Sequence, residues 1–587
     1  MRFSLRLVIF IANYGIKNTK RNPATMNYAS RLYFFVFFTS AFVCLAWAQT
    51  TPTAEQLLQE LGCATCHSGL PQTSSLRDKT PDLGHAGMRF NPAYVFDYLQ
   101  NPSQVRKHLG AARMPGFHLD ERESLALALF LSTQIHLDET WSAALKTLPP
   151  QTTHEPSPAE AKTLLTQTLN CTQCHKLGNE GQDESIDLAT VGYRLQTDGL
   201  LRYLAAPYVF DGLHTKMPSY FYSFNQSLKK FEPMYAQAEK MLEKIASYLA
   251  AIGQRKREDL QHGFEQAQRK YPEITAETGK TIYLSQNCAA CHRNATITPW
   301  HEKNAPDLSV TGTRVKREWL AAYLKKPHAL RPFGFYPGTG SRMPDFRLTD
   351  AESEVITAHL MQQKHDAIAG TNGFSPKPLS PFAQTKARTL LAEKLPCLGC
   401  HQLGEQGGRI GPDFAHVKSR LQPEFAYHFV RNPHGLIPEG NMPKILMPEK
   451  TEELILNFLL QDENVAGEPA YLSLIDNPII SPAGRSEEEK HYRRYCASCH
   501  GETGDGRGYN AKFLPAPPTS HADAVHMSQR PDDTLFDGIY AGGYILNKSP
   551  FMPAWGQRLS SEEIRGLVAY IRQLCQCQGP SWSREGK

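Results

Sequence analysis

The sequence predicts a mainly α protein built from five small helical domains in tandem. Three observations predict it. The pentapeptide C-x-x-C-H occurs five times, as CATCH from Cys63, CTQCH from Cys171, CAACH from Cys288, CLGCH from Cys397 and CASCH from Cys496, at spacings of 108, 117, 109 and 99 residues. That interval is the length of one small domain. Apolar residues at helical spacing precede the motif in the first four repeats, and a recurring series of short segments follows it.

Two thiols three apart, followed at once by an imidazole, form the arrangement that attaches a haem: each Cys makes a thioether to a vinyl group and the His ligates the iron. A zinc ribbon brings two C-x-x-C pairs onto one metal and needs no His after each. A dithiol of the thioredoxin kind expects a βαβ setting that the pattern lacks. The motifs therefore predict five covalent haem c groups, bound through Cys63 and Cys66, Cys171 and Cys174, Cys288 and Cys291, Cys397 and Cys400, and Cys496 and Cys499. The iron ligands are His67, His175, His292, His401 and His500. Of 13 Cys only Cys44, Cys575 and Cys577 remain, so disulfides do not organise the fold.

The elements of each repeat are read in order. A front helix is expected in AEQLLQEL from Ala54, AKTLLTQTL from Ala161, GKTIYLSQ from Gly279, TKARTLLAEKL from Thr385 and, more polar, EEEKHYRRY from Glu487. After the first four motifs comes a loop with Pro81-Asp82-Leu83, Ile186-Asp187-Leu188, Pro306-Asp307-Leu308 or Pro412-Asp413-Phe414. A short aromatic-rich helix then runs to Pro102, Pro207, Pro327 or Pro433, because proline cannot continue a helix. A Met-Pro pair follows in all five repeats, and a closing helix opened by acidic residues ends the unit, as in DERESLALALFL from Asp120. In the second repeat this helix is displaced to about 237–251, and the charged stretch from Gly253 reads as a solvated helix or linker.

A haem iron with one His has an open sixth position. The Met of each Met-Pro pair fills it in this reading, as a soft donor that favours Fe(II): Met114, Met217, Met343, Met442 and Met552. The intervals from motif His to Met are similar, at 47, 42, 51, 41 and 52 residues. Met447 rivals Met442, which better preserves the distance to the closing helix at Thr451. His108, His214, His328 and His434 are alternatives that would give bis-His centres, and surface positions are expected for them.

Each unit resembles a class I, mitochondrial-type cytochrome c domain, over nearly all of residues 50–577. The resemblance implies five tandem cytochrome c-like helical domains, each wrapped around one covalent haem. It places them at 49–147, 153–253, 275–367, 382–465 and 485–578, with a charged linker or helix at 254–274. It also implies that the loop carbonyl of Pro81, Pro306 or Pro412 fixes the proximal His of its own unit, with Ile186 in that place in unit two. Unit five departs, with GETGDGRG from Gly501 and PAPP from Pro515, and is expected to be the docking end.

Leu32 to Ala48 follows Arg31 and ends in Ala-Trp-Ala, which fits a cleaved signal peptide within residues 1–48; left uncleaved, it would anchor the chain. Its removal takes six basic residues and no acidic ones from 63 Lys plus Arg and 58 Asp plus Glu, leaving 57 against 58. Balanced charge gives no nucleic-acid footprint. Segments 151–158, 371–381 and 469–482 read as short spacers, and Cys575 and Cys577 as loose thiols too close in sequence to bridge each other. The expected function is one-electron transfer by an exported, periplasmic pentahaem cytochrome, not an enzyme, between redox partners that the sequence does not name. Two alternatives stand: a haem enzyme with one open iron, for which unit two is the best candidate, and an electron-outlet subunit of a membrane oxidoreductase complex.

Overall fold

A computed structural model describes residues 52–583, except 72–75, 106–109, 149–156, 213–214, 298–304, 332, 334–340, 367, 369–372, 439, 462–469 and 478–484. The signal segment, His108 and His214 lie outside the described residues. The protein is mainly helical, and three short antiparallel hairpins are the only sheets among the described residues.

Front helices form where expected, at Ala54–Glu60, Ala276–Ser285, Pro381–Glu393 and Glu487–Tyr495, while unit two uses Pro158–Thr163 continued by a wider turn at Leu164–Thr168. The polar fifth segment is helical because Ser486 caps it, three glutamates fill its first turn and Tyr492 and Tyr495 are buried. Closing helices run over Glu121–Ser132, Ala238–Ile252, Asp350–Leu360, Glu449–Leu459 and Ser561–Cys575. Asp120, Thr349 and Ser560 each close a reciprocal capping box with a Glu three residues on.

Units two, four and five each pack front helix against closing helix. Units one and three do not fold back on themselves: they exchange halves. The front helix Ala276–Ser285 crosses the closing helix Glu121–Ser132 of unit one, and the front helix Ala54–Glu60 packs on Asp350–Leu360 of unit three. The crossing is close because Gly279 has no side chain; a Cβ there would stand 1.9 Å from the Ala126 carbonyl oxygen. Two apolar cores carry the exchange. Ile282, Tyr283 and Ala289 join Phe96, Leu125 and Phe130, while Leu57, Leu58 and Leu61 join Leu320, Leu324 and Ile356. Residues 49–147 and 275–367 are thus not the packing units that the sequence suggests. The two units carry the same apolar pattern, so each closing helix offers an apolar face to either front helix.

The packed groups around the motifs are named here by their motif histidines. The His175 body adds a hairpin, Tyr222–Asn225 with Lys230–Pro233, which displaces its closing helix; Phe224 of this hairpin packs on Trp141 at 4.7 Å. The charged stretch after it is the helix Gln254–Lys270, and it is not wholly solvated: Leu260, Phe264 and Ala267 are buried, with Phe264 against Phe96 at 5.7 Å. The spacer before unit five also docks. Leu474 N donates to Glu123 Oε1 (2.6 Å), Arg342 Nη2 donates to Leu472 O (2.8 Å), and Tyr471 stacks on His118 at 4.3 Å.

Candidate haem sites

Each motif is one helical turn. The amide of His67, His175, His292, His401 or His500 donates to the carbonyl of the first motif Cys at 2.9–3.0 Å, which brings both cysteines and the histidine to one face. In three units a left-handed residue, Gly62, Asn170 or Asn287, ends the front helix and starts this turn. The ten motif cysteines are unbridged. Burial pushes the thiols of Cys63, Cys288, Cys397 and Cys496 up to about 12 and that of Cys171 to about 11, so they are not the reactive thiolates of a redox dithiol.

All five proximal histidines have their Nδ1 atoms tied to a backbone carbonyl. His175 meets Ile186 O (2.7 Å), His401 meets Pro412 O (2.7 Å) and His500 meets Thr519 O (2.8 Å). Here the exchange reaches the site: His67 meets Pro306 O (2.7 Å), and His292 meets Pro81 O (3.0 Å). The loop carbonyls of units one and three thus serve each other's histidines. Fixing Nδ1 leaves Nε2 as the metal-facing nitrogen, which fits a haem iron. Burial also pushes His401 down to about 4, which keeps its imidazole neutral.

Four of the expected methionines pack on the apolar cluster that holds the first motif cysteine: Met217 with Cys171, Met114 with Cys288, Met343 with Cys63, and Met552 with Cys496; Met88 and Met241, Met361 and Met527 join three of these clusters as well. In the fourth body the methionine is Met447, with Cys397, Leu403 and Phe414. Met442 is not part of that cluster. Its neighbour Asn441 is buried and accepts a bond from Arg494 Nε (2.7 Å), holding the Met442-Pro443 segment at the junction with the His500 body. Of the alternative histidines, His328 packs edge-on to Tyr323 at 5.2 Å. His434 has both ring nitrogens buried without a partner, beside Arg494 and Arg558.

The bodies meet in the order His175, His292, His67, His401, His500, through two alternating kinds of interface. In the first kind, single antiparallel bridges join Phe90 to Leu195 and Val315 to Leu421. In the second, motifs approach each other: Cys291 Sγ lies 4.0 Å from Thr65 Oγ1, and buried Asn510 donates to Gly399 O (2.7 Å) and to Cys499 Sγ (3.3 Å). Phe333 of the His67 body also stacks on Tyr509 at 4.1 Å.

Residues 485–571 match the family described as cytochrome c oxidase, cbb3-type, subunit III, and residues 276–364 match the family cytochrome c. These two segments are c-type cytochrome domains. Electron transfer through covalently held haem iron is the business of such domains. Among similar proteins, a cbb3-type cytochrome c oxidase subunit CcoP from Azospirillum brasilense is 23% identical over 198 residues, 34% of this chain and 64% of the relative. The CcoP of Rubrivivax gelatinosus is 23% identical over 315 residues, 50% of this chain and 88% of its own. The matched stretch thus spans less than two thirds of the Azospirillum relative. No solved structure matches. Among the described residues no helix is long and apolar enough to cross a membrane.

Cys575 and Cys577 correct the sequence reading: they are bridged to each other, with Cα atoms 5.1 Å apart. Gln576 between them takes a left-handed conformation (φ 49°) and turns the chain back at the end of the closing helix.

Proposed function

We propose that this cytochrome is an exported pentahaem electron carrier that relays single electrons along its five bodies between two redox partners. The observation that carries this reading is the fivefold repetition of one site: a C-x-x-C-H turn, an Nδ1-to-carbonyl bond and a methionine on the same apolar cluster. In this reading His67 pairs with Met343, His175 with Met217, His292 with Met114, His401 with Met447 and His500 with Met552. The haem supplies an iron that cycles between ferrous and ferric states. The chain binds it at two sulfurs, orients the proximal ring and encloses the site in apolar side chains, which limits reorganisation and tunes potential.

The likeness to CcoP subunits favours a second reading of its setting, as the electron-outlet subunit of a membrane oxidoreductase complex. Both readings are tested on holoprotein purified from the exporting host. A haem count of five, a low-spin spectrum indifferent to carbon monoxide, and the oxidised Met-to-iron charge-transfer band are the expected results. A carbon monoxide-binding haem in the parent would point to an open iron and an enzyme instead. Copurification with an oxidase or quinol-oxidising complex would decide for the subunit reading.

A further inference from the structure

Two of the sixth-ligand loops are spelled alike. Arg113-Met114-Pro115-Gly116-Phe117-His118 and Arg342-Met343-Pro344-Asp345-Phe346-Arg347 share Arg-Met-Pro and a phenylalanine at the same spacing, and each leads into the capping box of its closing helix. Elsewhere Lys216, Asn441 and Phe551 precede the Met-Pro pair, and Leu446 precedes Met447. The two like loops face each other. Gly116 and Asp345 form an antiparallel bridge, Gly116 N donating to Asp345 O (2.8 Å) and Asp345 N to Gly116 O (2.7 Å). Around this bridge the bonds run in reciprocal pairs. Arg342 Nη1 donates to His118 O (3.1 Å), and Arg113 Nη1 donates to Arg347 O (3.3 Å). Arg342 pairs with Glu123 and Arg113 with Glu352, each the capping glutamate of the other unit's closing helix. The last pair reaches the methionines themselves: Arg347 Nη2 donates to Met114 O (2.7 Å), and the His118 ring meets the Met343 carbonyl.

Arg347 (φ 50°) and His118 (φ 53°) both lie in the left-handed region. A non-glycine residue keeps that conformation only where its surroundings hold it there. The strain thus falls on the two residues whose side chains cross to the opposite loop. A thioether sulfur is a weak ligand of ferric iron, so a methionine loop free to shift on oxidation would add reorganisation to every electron transfer. Here neither loop can shift without breaking bonds that the other holds.

We propose that Arg347 and His118 are positioning residues for each other's sixth ligand, Arg347 holding Met114 on the iron at His292 and His118 holding Met343 on the iron at His67, so that one clasp serves both haems. This rests on the pentahaem reading and its methionine pairings.

The experiment is a titration of the oxidised full-length holoprotein with imidazole, which competes with methionine for ferric iron, after a haem count and with the Met-to-iron charge-transfer band as a second readout. R347L is expected to tighten imidazole binding about tenfold at one haem, the worth of one hydrogen bond from a charged group, and to weaken the band. R347K keeps a cationic donor and is expected to recover most of the parent's affinity. Double variants assign the effect. Combined with M114L, which already opens that iron, R347L should add nothing; combined with M343L it should loosen a second haem. H118F, which keeps a ring for Tyr471 to stack on, should give the opposite pattern, absorbed by M343L and not by M114L. It also reads the clasp if R347L does not fold. Five-haem variants with the parent's imidazole affinities would overturn the clasp, as would an R347L effect that M343L absorbs, since the arginine would then act on its own loop alone. A parent with fewer than five haems, or without the band, would instead strike the function proposed above.

Discussion

Met447 and Met442 lie five residues apart, and one substitution in each separates their roles. In M447L the iron at His401 is expected to lose its sixth ligand, so that one haem in five becomes high-spin and binds carbon monoxide; M442L should leave the spectrum unchanged. A carbon monoxide difference spectrum of each variant checks this. The sequence favours Met442 because its distance to the closing helix at Thr451 matches the other units, whereas Met447 is the one of the two that packs on the cluster around Cys397. The motif turns were legible, since the bond from the His amide to the first Cys carbonyl needs only fixed neighbours in the chain. Glu123 was not. It is fully buried and accepts from Arg342 Nη1 (3.0 Å) and from the Leu474 amide (2.6 Å). Its partners come from units one, three and the spacer, and no local pattern joins them. E123A leaves Arg342 buried without its counter-charge and should cost about 3–5 kcal/mol, measured as an earlier denaturant midpoint at full haem content.

Helices were legible at the level of the element because their signals are local: caps, apolar spacing and terminal prolines all sit within a dozen residues. Which front helix meets which closing helix was not, because units one and three carry interchangeable patterns. The tripeptides of the single bridges, by contrast, were present to be read, as RFN, RLQ, RVK and RLQ just before each middle helix, and the third residue of each donates its amide to the opposite arginine's carbonyl. Unit five has Arg530-Pro531 before its own helix at Asp532–Ala541, and proline lacks the amide such a bridge requires. This accounts for the His500 body meeting its neighbour through Asn510 instead. Gly279 gives the element-scale test. In G279A the new Cβ meets a backbone carbonyl that cannot move aside, so the front helix must lift from Glu121–Ser132. The expected loss is about 1–3 kcal/mol, read by thermal unfolding and by depletion of haem at Cys288 and Cys291. G566A changes a closing-helix glycine whose nearest neighbour is the flexible Glu488 side chain, and it should have a smaller effect.

Across the whole molecule the exchange has a consequence that contiguous domains would not share. Each half of unit one depends on unit three, and the docked spacer at 471–477 ties both to the second half of the chain, so bodies His67 and His292 should form together or not at all. Their methionines provide the test, because Met343 belongs to unit three by sequence and to the His67 body by packing. Placed on a C63A/C66A background, which removes the haem at His67, M343L should open no further iron, and the four remaining haems should ignore carbon monoxide. On a C288A/C291A background the same substitution should give one carbon monoxide-binding haem among four, because the iron at His67 is still there to lose its ligand. Contiguous units predict the reverse in both backgrounds. Two carbon monoxide difference spectra therefore distinguish an interlocked pair from two independent domains, and the reversed pattern would rule out the exchange and the relay order built on it.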